Sequence, residues 1–422
     1  MSGTRAVTVT VRSLRITVAI VAAATVAGLV LLWPTGPADD LSATTAGIDY
    51  VDATVSAVDI VDCTDPAEGL PTRCQLVAAE LTSGPIDGEG TTFLSSLVDF
   101  SAPDFEAGDR VVLAYNPLAP EGFQHVFVEF QREAPLAVLA VVFVVAVVAF
   151  GRWQGLRALA GLVASVLVIV GFLLPALLRD GNAIAVALVT TSVVAFAALY
   201  LAHGISSATT VALLGTLSSV LVITVLATVV TAAARLTGIA EESFQVLRVT
   251  AEAVDPRGVL VAGIVIGALG VLDDVTVTQV SAVGELRRAN PGLAPWELYR
   301  SAIRIGRDHV ASTVNTLVLA YVGALLALLL FFLQEGRSVT QVLNREIVAI
   351  EIVRALVGSI GLILSVPLTT ALAVLTGIDG DAGHGHGHRD AALPVDTRGP
   401  AAEPPVAPPS WDDFAPDPDR PI

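Results

Sequence analysis

The chain has 422 residues, 54% of them hydrophobic and 15% charged, with a mean hydropathy of +0.74. Such a composition excludes an ordinary water-soluble domain. The formal net charge of −17 excludes a basic nucleic-acid-binding surface, and the acids concentrate between Asp39 and Glu133 and beyond Asp379, in segments that face water.

Residues 14–33 form one apolar run with Arg5 and Arg12 before it and Arg15 at its start. It reads as a secretory signal or as a first transmembrane helix. Its length, and the lack of a clear small-x-small cleavage site beyond it, favour the uncleaved anchor. Residues 1–33 are therefore expected to be a cytoplasmic N-terminus, retained by its arginines, followed by the first helix.

From 34 to 132 the pattern alternates, and strands are predicted at 51–61, 74–79, 92–98, 110–115 and 123–130, each bounded by Gly, Pro or Asp. Five short strands point to a small extracytoplasmic β-barrel-like (OB-like) domain, although a sandwich stays open. Its role is read first as a folded spacer. Cys63 and Cys74, the only cysteines, flank a turn-rich loop in this segment. A disulfide is expected there, where it would contribute about 3 kcal/mol in the chain-entropy model. Two thiols alone lack the further ligands of a zinc site.

Apolar runs return at 136–150, 158–178, 183–202, 209–232, 259–283, 311–332 and 352–375, which with the first makes eight. The fold class expected is an α-helical polytopic membrane protein with about eight transmembrane helices, seven of them in a core at 133–376. Arg152 and Arg157 follow the second run, and Arg287, Arg288, Arg300, Arg304 and Arg307 follow the sixth. These arginines put both termini in the cytoplasm and 34–132 outside. The tail, 377–422, is rich in Pro, Asp, Gly and Ala and is expected to be a disordered cytoplasmic segment. Its alternating His384, His386 and His388 form a weak metal-binding tract or an incidental one.

The sixth run carries Asp273 and Asp274. An acid at membrane depth costs roughly 2.5 to 3.5 kcal/mol on insertion scales, so it normally faces protein or a wet cavity and marks a functional path. Gly263, Gly267, Gly270, Asp274, Thr278, Ser281 and Glu285 step by three or four along one helix face. The glycines offer a surface for close helix packing, and the other four a polar ladder. Asp273 points about 100° away from Asp274. The seventh span opens on Asp308, His309, Ser312, Thr313, Asn315 and Thr316. If it pairs with the sixth as a hairpin, either acid could meet Arg307, His309 or Asn315. The plainer reading makes these groups buried clamps between helices. His203, Ser206, Thr209 and Thr210 share the spacing of His309, Ser312, Asn315 and Thr316, so a parallel internal repeat is a further expectation.

The stretches 267–291, 305–321, 351–361 and 202–216, with Asp273-Asp274 and Gly306-Arg307-Asp308-His309 the most specific, resemble the YibE/F-like bacterial membrane proteins, over about 47–376. In place of the Leu-Pro often seen midway in the family's corresponding span, this chain has Leu325-Leu326-Ala327. The resemblance implies a plasma-membrane protein for which transport is one proposed role. The function expected is a transporter or exporter of a small solute or cation. In it Asp273 and Asp274 bind or relay a cation or proton, Thr278, Ser281 and Asn315 line the route, and Glu285, Asp308 and His309 form its inner mouth. No cofactor is expected, and the chain is not expected to be an enzyme; without a Walker A loop it is not expected to hydrolyse ATP. An intramembrane aspartyl protease needs two carboxylates sharing a proton, which adjacent helical positions do not provide. An envelope assembly scaffold is the second class. The bilayer is the expected partner, with a homo-oligomer or an envelope protein as further ones.

Overall fold

The structure, a computed structural model, describes residues 11–35, 49–64, 71–84, 88–96, 103–120, 123–179, 181–240 and 254–377. His384, His386 and His388 lie outside the described residues, as does nearly all of the predicted tail.

Helix α1 (Val11–Leu31) precedes five antiparallel strands: β1 (Asp49–Thr64), β2 (Pro71–Leu81), β3 (Gly90–Ser96), β4 (Arg110–Tyr115) and β5 (His125–Phe130). Their order in the sheet is β3-β2-β1-β4-β5. Alternation puts Val51, Ala53 and Val55, Val77, Ala79 and Leu81, and Val111 and Leu113 on one face, where they bury together with Phe93 and Phe105. Strand β1 serves both halves of the sheet. It pairs with β4 through 49–54 and with β2 through 53–64, and a register shift falls between Val55 and Ala57. Such an irregularity bends a strand and raises its twist. The two outermost strands consequently approach each other. Thr91 Oγ1 on β3 lies 2.8 Å from His125 Nδ1 on β5, and the Phe93 and Phe127 rings stack at 6.3 Å. The sheet is a half-barrel, with Cys63 and Cys74 disulfide-bonded between β1 and β2.

The helices are α2 (Glu133–Val168), which runs through a π turn (Ile169–Leu173) into α3 (Leu174–Leu178), then α4 (Ala183–His203), α5 (Ser207–Ala233), α6 (Pro256–Ala289), α7 (Pro295–Ala324), α8 (Leu326–Gln334), α9 (Val339–Leu343) and α10 (Glu346–Thr376). Among the described residues six helical segments are long and apolar enough to cross a membrane, or seven if α7 and α8, bent by 56°, make one span. Runs 136–150 and 158–178 lie in a single 46-residue segment, Glu133–Leu178, which enters that number once. That segment is not straight. Arg152 interrupts it at φ 48°, and a Cβ on Gly155 would stand 2.3 Å from the Val147 carbonyl oxygen. A continuous helix would separate those residues by about 12 Å, so the chain doubles back at Arg152. The π turn has a simpler cause: Pro175 follows it, and proline removes a donor and crowds the preceding turn. The bend between α7 and α8 falls at Leu325, where no proline stands.

Helices α5, α6 and α10 pack against one another, with α4 and α7 beside them. Their closest approaches occur where a side chain is missing. A Cβ on Gly361 would meet Ile223 Cγ1 at 2.1 Å, and one on Gly215 would meet Thr369 Oγ1 at 2.3 Å. Side-chain caps fix where helices begin. Asn182 accepts from the Ala185 amide at α4, Ser206 from Thr209 at α5, and Asp255 from Arg257 at α6. At the start of α10, Glu346 accepts from the Thr237 and Gly238 amides, tying that helix to the chain leaving α5.

His125 makes the half-barrel sensitive to pH. Burial lowers its pKa from 6.5, and its Nε2 has no partner among the described residues. The unfolded chain therefore binds a proton at a higher pH than the folded one. Stability of the strand region is expected to be complete above pH 6.5 and to fall as pH drops through and below that value. Protease protection of residues 49–130 measured across this range should show the loss, and His125→Gln should flatten it.

Candidate polar site among the helices

Helix α6 occupies the centre of the bundle and is about 51 Å long by its 34 residues. Its buried side runs through Val261, Val265, Ala268, Leu272, Val275, Thr276, Gln279 and Val283. The opposite side, Gly263, Gly267, Gly270, Asp274, Thr278, Ser281 and Glu285, is exposed throughout. The stripe singled out in the sequence is thus a coherent face, but it is the open one. No helix closes on its glycines: a Cβ on Gly263 or Gly270 would meet nothing within 4 Å, and one on Gly267 only Tyr321 Oη at 4.0 Å. Close packing is instead made at Gly215, Gly306 and Gly361.

The two acids part company as helical geometry requires. Asp273 turns inward. Among the described residues its Oδ1 is buried with no hydrogen-bond partner, and the Thr216 side chain of α5 lies beside its carboxyl group. Thr216 Oγ1 in turn lies 2.8 Å from Thr276 Oγ1, which donates back to the Asp273 carbonyl. Asp274 turns outward, with 74% of its side chain exposed, and its Oδ2 stands 3.8 Å from Nε2 of His309 on α7. That separation is an electrostatic contact, longer than a hydrogen bond. His203, the last residue of α4, lies within electrostatic reach of both Asp274 and Arg157.

Of the remaining residues expected to line a route, Thr278, Ser281, Asp308 and Asn315 are exposed, and Glu285 is exposed and paired with Arg288. None of them is brought to either carboxylate by a hydrogen bond or ion pair among the described residues. The two stretches of matching spacing differ in local structure. His203 ends a helix and Ser206 caps the next one, whereas His309, Ser312 and Asn315 lie inside the continuous helix α7.

Several site residues carried no local sequence signal. Gln279 donates to the Ala302 carbonyl at 2.9 Å and to Thr370 Oγ1 at 2.7 Å, and so clamps α6, α7 and α10 together. On α7, His309, Thr313, Leu317 and Tyr321 recur every four residues and are all half-buried, forming the wall that faces the open side of α6. Tyr321 shares a small cavity with Gly267, Val271, Leu317, Gly358 and Arg354. Arg354 pairs with Glu351 on α10, and its Nε is buried and unpartnered. Groups at the two ends of this groove, Asp274 with His309 and Tyr321 with Arg354, are separated by an apolar stretch at Val271 and Leu317.

The model of the YibE/F-like protein family matches residues 139–377, more than half of the chain. The chain belongs to the YibE/F-like family. The matched region takes in every helix from α4 to α10 and most of α2, and it begins after the half-barrel and α1. No curated protein matches the chain, and no solved structure does. Family membership and the apolar helices together fit a multi-pass membrane protein.

The Gln279 clamp separates packing from any other role of this region. Gln279→Leu leaves the Ala302 carbonyl and the Thr370 hydroxyl without that donor, and should lower stability by about 1 to 3 kcal/mol. Thermal unfolding of the purified protein in detergent measures it, and an unchanged melting temperature would mean that water replaces the amide.

Proposed function

We propose that this YibE/F-like protein is a transporter or exporter in which the Asp273-Asp274 pair handles a cation or a proton. The reading rests on one observation: consecutive carboxylates on the central helix face different surroundings, one in the packed interior, the other on an open groove beside a histidine. Charged groups among apolar helices are costly and belong where protein or water compensates them. Asp274 and His309 place a carboxylate and an imidazole within reach of each other on the open groove. Asp273, with Thr216 and Thr276 around it, supplies an oxygen-rich site suited to a proton or a hard cation. The groove continues to Tyr321, Arg354 and Glu351, which gives the route a second polar end.

In this reading the helices sit in a bacterial plasma membrane. The arginine-rich end of α6 and α7 lies in the cytoplasm and the half-barrel lies outside, where its disulfide persists. The strand order, with β1 shared between two halves, supports an OB-like description of that domain. Proteolytic chemistry is disfavoured, since the two adjacent carboxyls point apart. A scaffold role is the second reading, favoured by the half-barrel, which falls outside the family match.

Reconstitution decides between them. Proteoliposomes of the full chain, screened for proton and cation flux, should show flux that Asp273→Asn reduces to background. Asp274→Asn and His309→Gln should alter its dependence on pH. If both Asn variants carry wild-type flux, or if no tested ion moves while the protein still forms its complexes, the transport reading fails and the scaffold stands.

A further inference from the structure

The first four turns of α7 have two faces of different chemistry. Leu298, Ala302, Gly306 and Val310 form its buried stripe, with Leu298 and Ala302 packed beside Ala373 and Val374 of α10 and Val280 and Val283 of α6. Opposite them Trp296, Tyr299, Arg300, Ile303, Arg304 and Arg307 line one groove of about 280 Å³. The Trp296 and Tyr299 rings stack at 5.4 Å with an interplanar angle of 13°, and Trp296 is 65% exposed. Arg300, Arg304 and Arg307 are all exposed. Among the described residues none of these three guanidinium groups has a hydrogen bond or an ion pair. The neighbouring arginines differ: Arg287 donates to the Val374 carbonyl, and Arg288 pairs with Glu285.

The position along the helix gives the groove its occupant. Past residue 310 the exposed side chains of α7 include the apolar Ala311, Val318, Leu319, Ala320 and Val322, interrupted only by Ser312, Asn315 and Thr316. Trp and Tyr side chains gather where acyl chains give way to water, and arginine forks match phosphate oxygens. From Arg300 to Arg307 the helix rises about 10 Å, comparable to the roughly 5 to 8 Å of headgroup layer on each side of a bilayer core. Three guanidinium groups stacked over that depth, without carboxylate partners and beside an aromatic pair, are complementary to a phosphate diester carried on a lipid. We infer that the Trp296–Arg307 groove binds the headgroup of an anionic glycerophospholipid and so fixes the depth and tilt of α7, the helix that carries His309. The inference requires the bundle to lie in a membrane. It does not require transport.

Full-length protein in phosphatidylcholine nanodiscs, titrated with phosphatidylglycerol and read by native mass spectrometry of retained lipid, tests it. Each arginine near an anionic surface contributes about fivefold to binding, so the three together contribute about a hundredfold. Wild type should retain phosphatidylglycerol in preference to phosphatidylcholine. The R300Q/R304Q/R307Q chain should lose about that factor while keeping its thermal unfolding profile, and Trp296→Ala should lose less. Inorganic phosphate added in excess should not displace the lipid. The inference is overturned if the triple variant retains as much phosphatidylglycerol as wild type, or if free phosphate competes on equal terms. It is also overturned if anionic lipid binds only after residues 378–422 are deleted, because the chain's own acidic tail would then be the occupant. Because retention is read without any flux, failure here leaves the transport reading intact, and failure of flux leaves this one intact.

Discussion

A charge placed among apolar helices must be compensated by protein or by water, and the arrangement of α6 follows from that requirement. The helix carries Asp273 and Asp274 near its middle. Because neighbours on a helix point about 100° apart, no single surrounding can serve both. The bundle resolves this by giving one carboxyl the threonine-lined interior between α5 and α6 and the other an open groove with His309. Had both acids shared one face, their repulsion would have added to the cost of taking them out of water.

The packing around α6 supports this division. Glycines let α5 and α10 approach each other beside it and let α7 approach Gln279, and threonines and serines there bond within the helices or to one another. Thr216, Ser219, Thr276, Gln279, Ser365 and Thr370 are all buried. A polar band of this kind serves two ends at once. It satisfies groups that lipid could not, and it sets Thr216 and Thr276 beside Asp273. The outward face, by contrast, has glycines that no neighbour uses, so the groove toward α7 stays open from Asp274 to Gly267.

Much of the fold was legible in the sequence. The alternation at 51–61, 110–115 and 123–130 lies in or across β1, β4 and β5, because period two is unambiguous in a half-buried sheet. The disulfide followed from two cysteines flanking one turn-rich loop. The doubling back at Arg152 was legible as the gap between the apolar runs 136–150 and 158–178, whereas the bend at Leu325 was not, since no proline stands there. For the site, the pattern on α6 gave a true face but not which way it points. Gly, Ser and Thr occur on both sides of the helix, so its amphipathicity is too weak to orient it. Thr216, Tyr321, Glu351, Arg354 and Thr370 come to the site from distant stretches of chain, and only tertiary packing brings them there. The proximity of Asp274 to His309 was open to sequence reasoning because a hairpin of two long helices places them at similar depth.

The unequal surroundings of the adjacent acids are tested most directly by thiol accessibility. Cys63 and Cys74 are tied in a disulfide, so Asp273→Cys and Asp274→Cys each introduce one reactive thiol. Labelling of the membrane-embedded protein with a small hydrophilic maleimide should modify position 274 at least about tenfold faster than position 273, a difference of about 1.4 kcal/mol in activation free energy. Equal rates at the two positions, or a faster reaction at 273, would contradict the account.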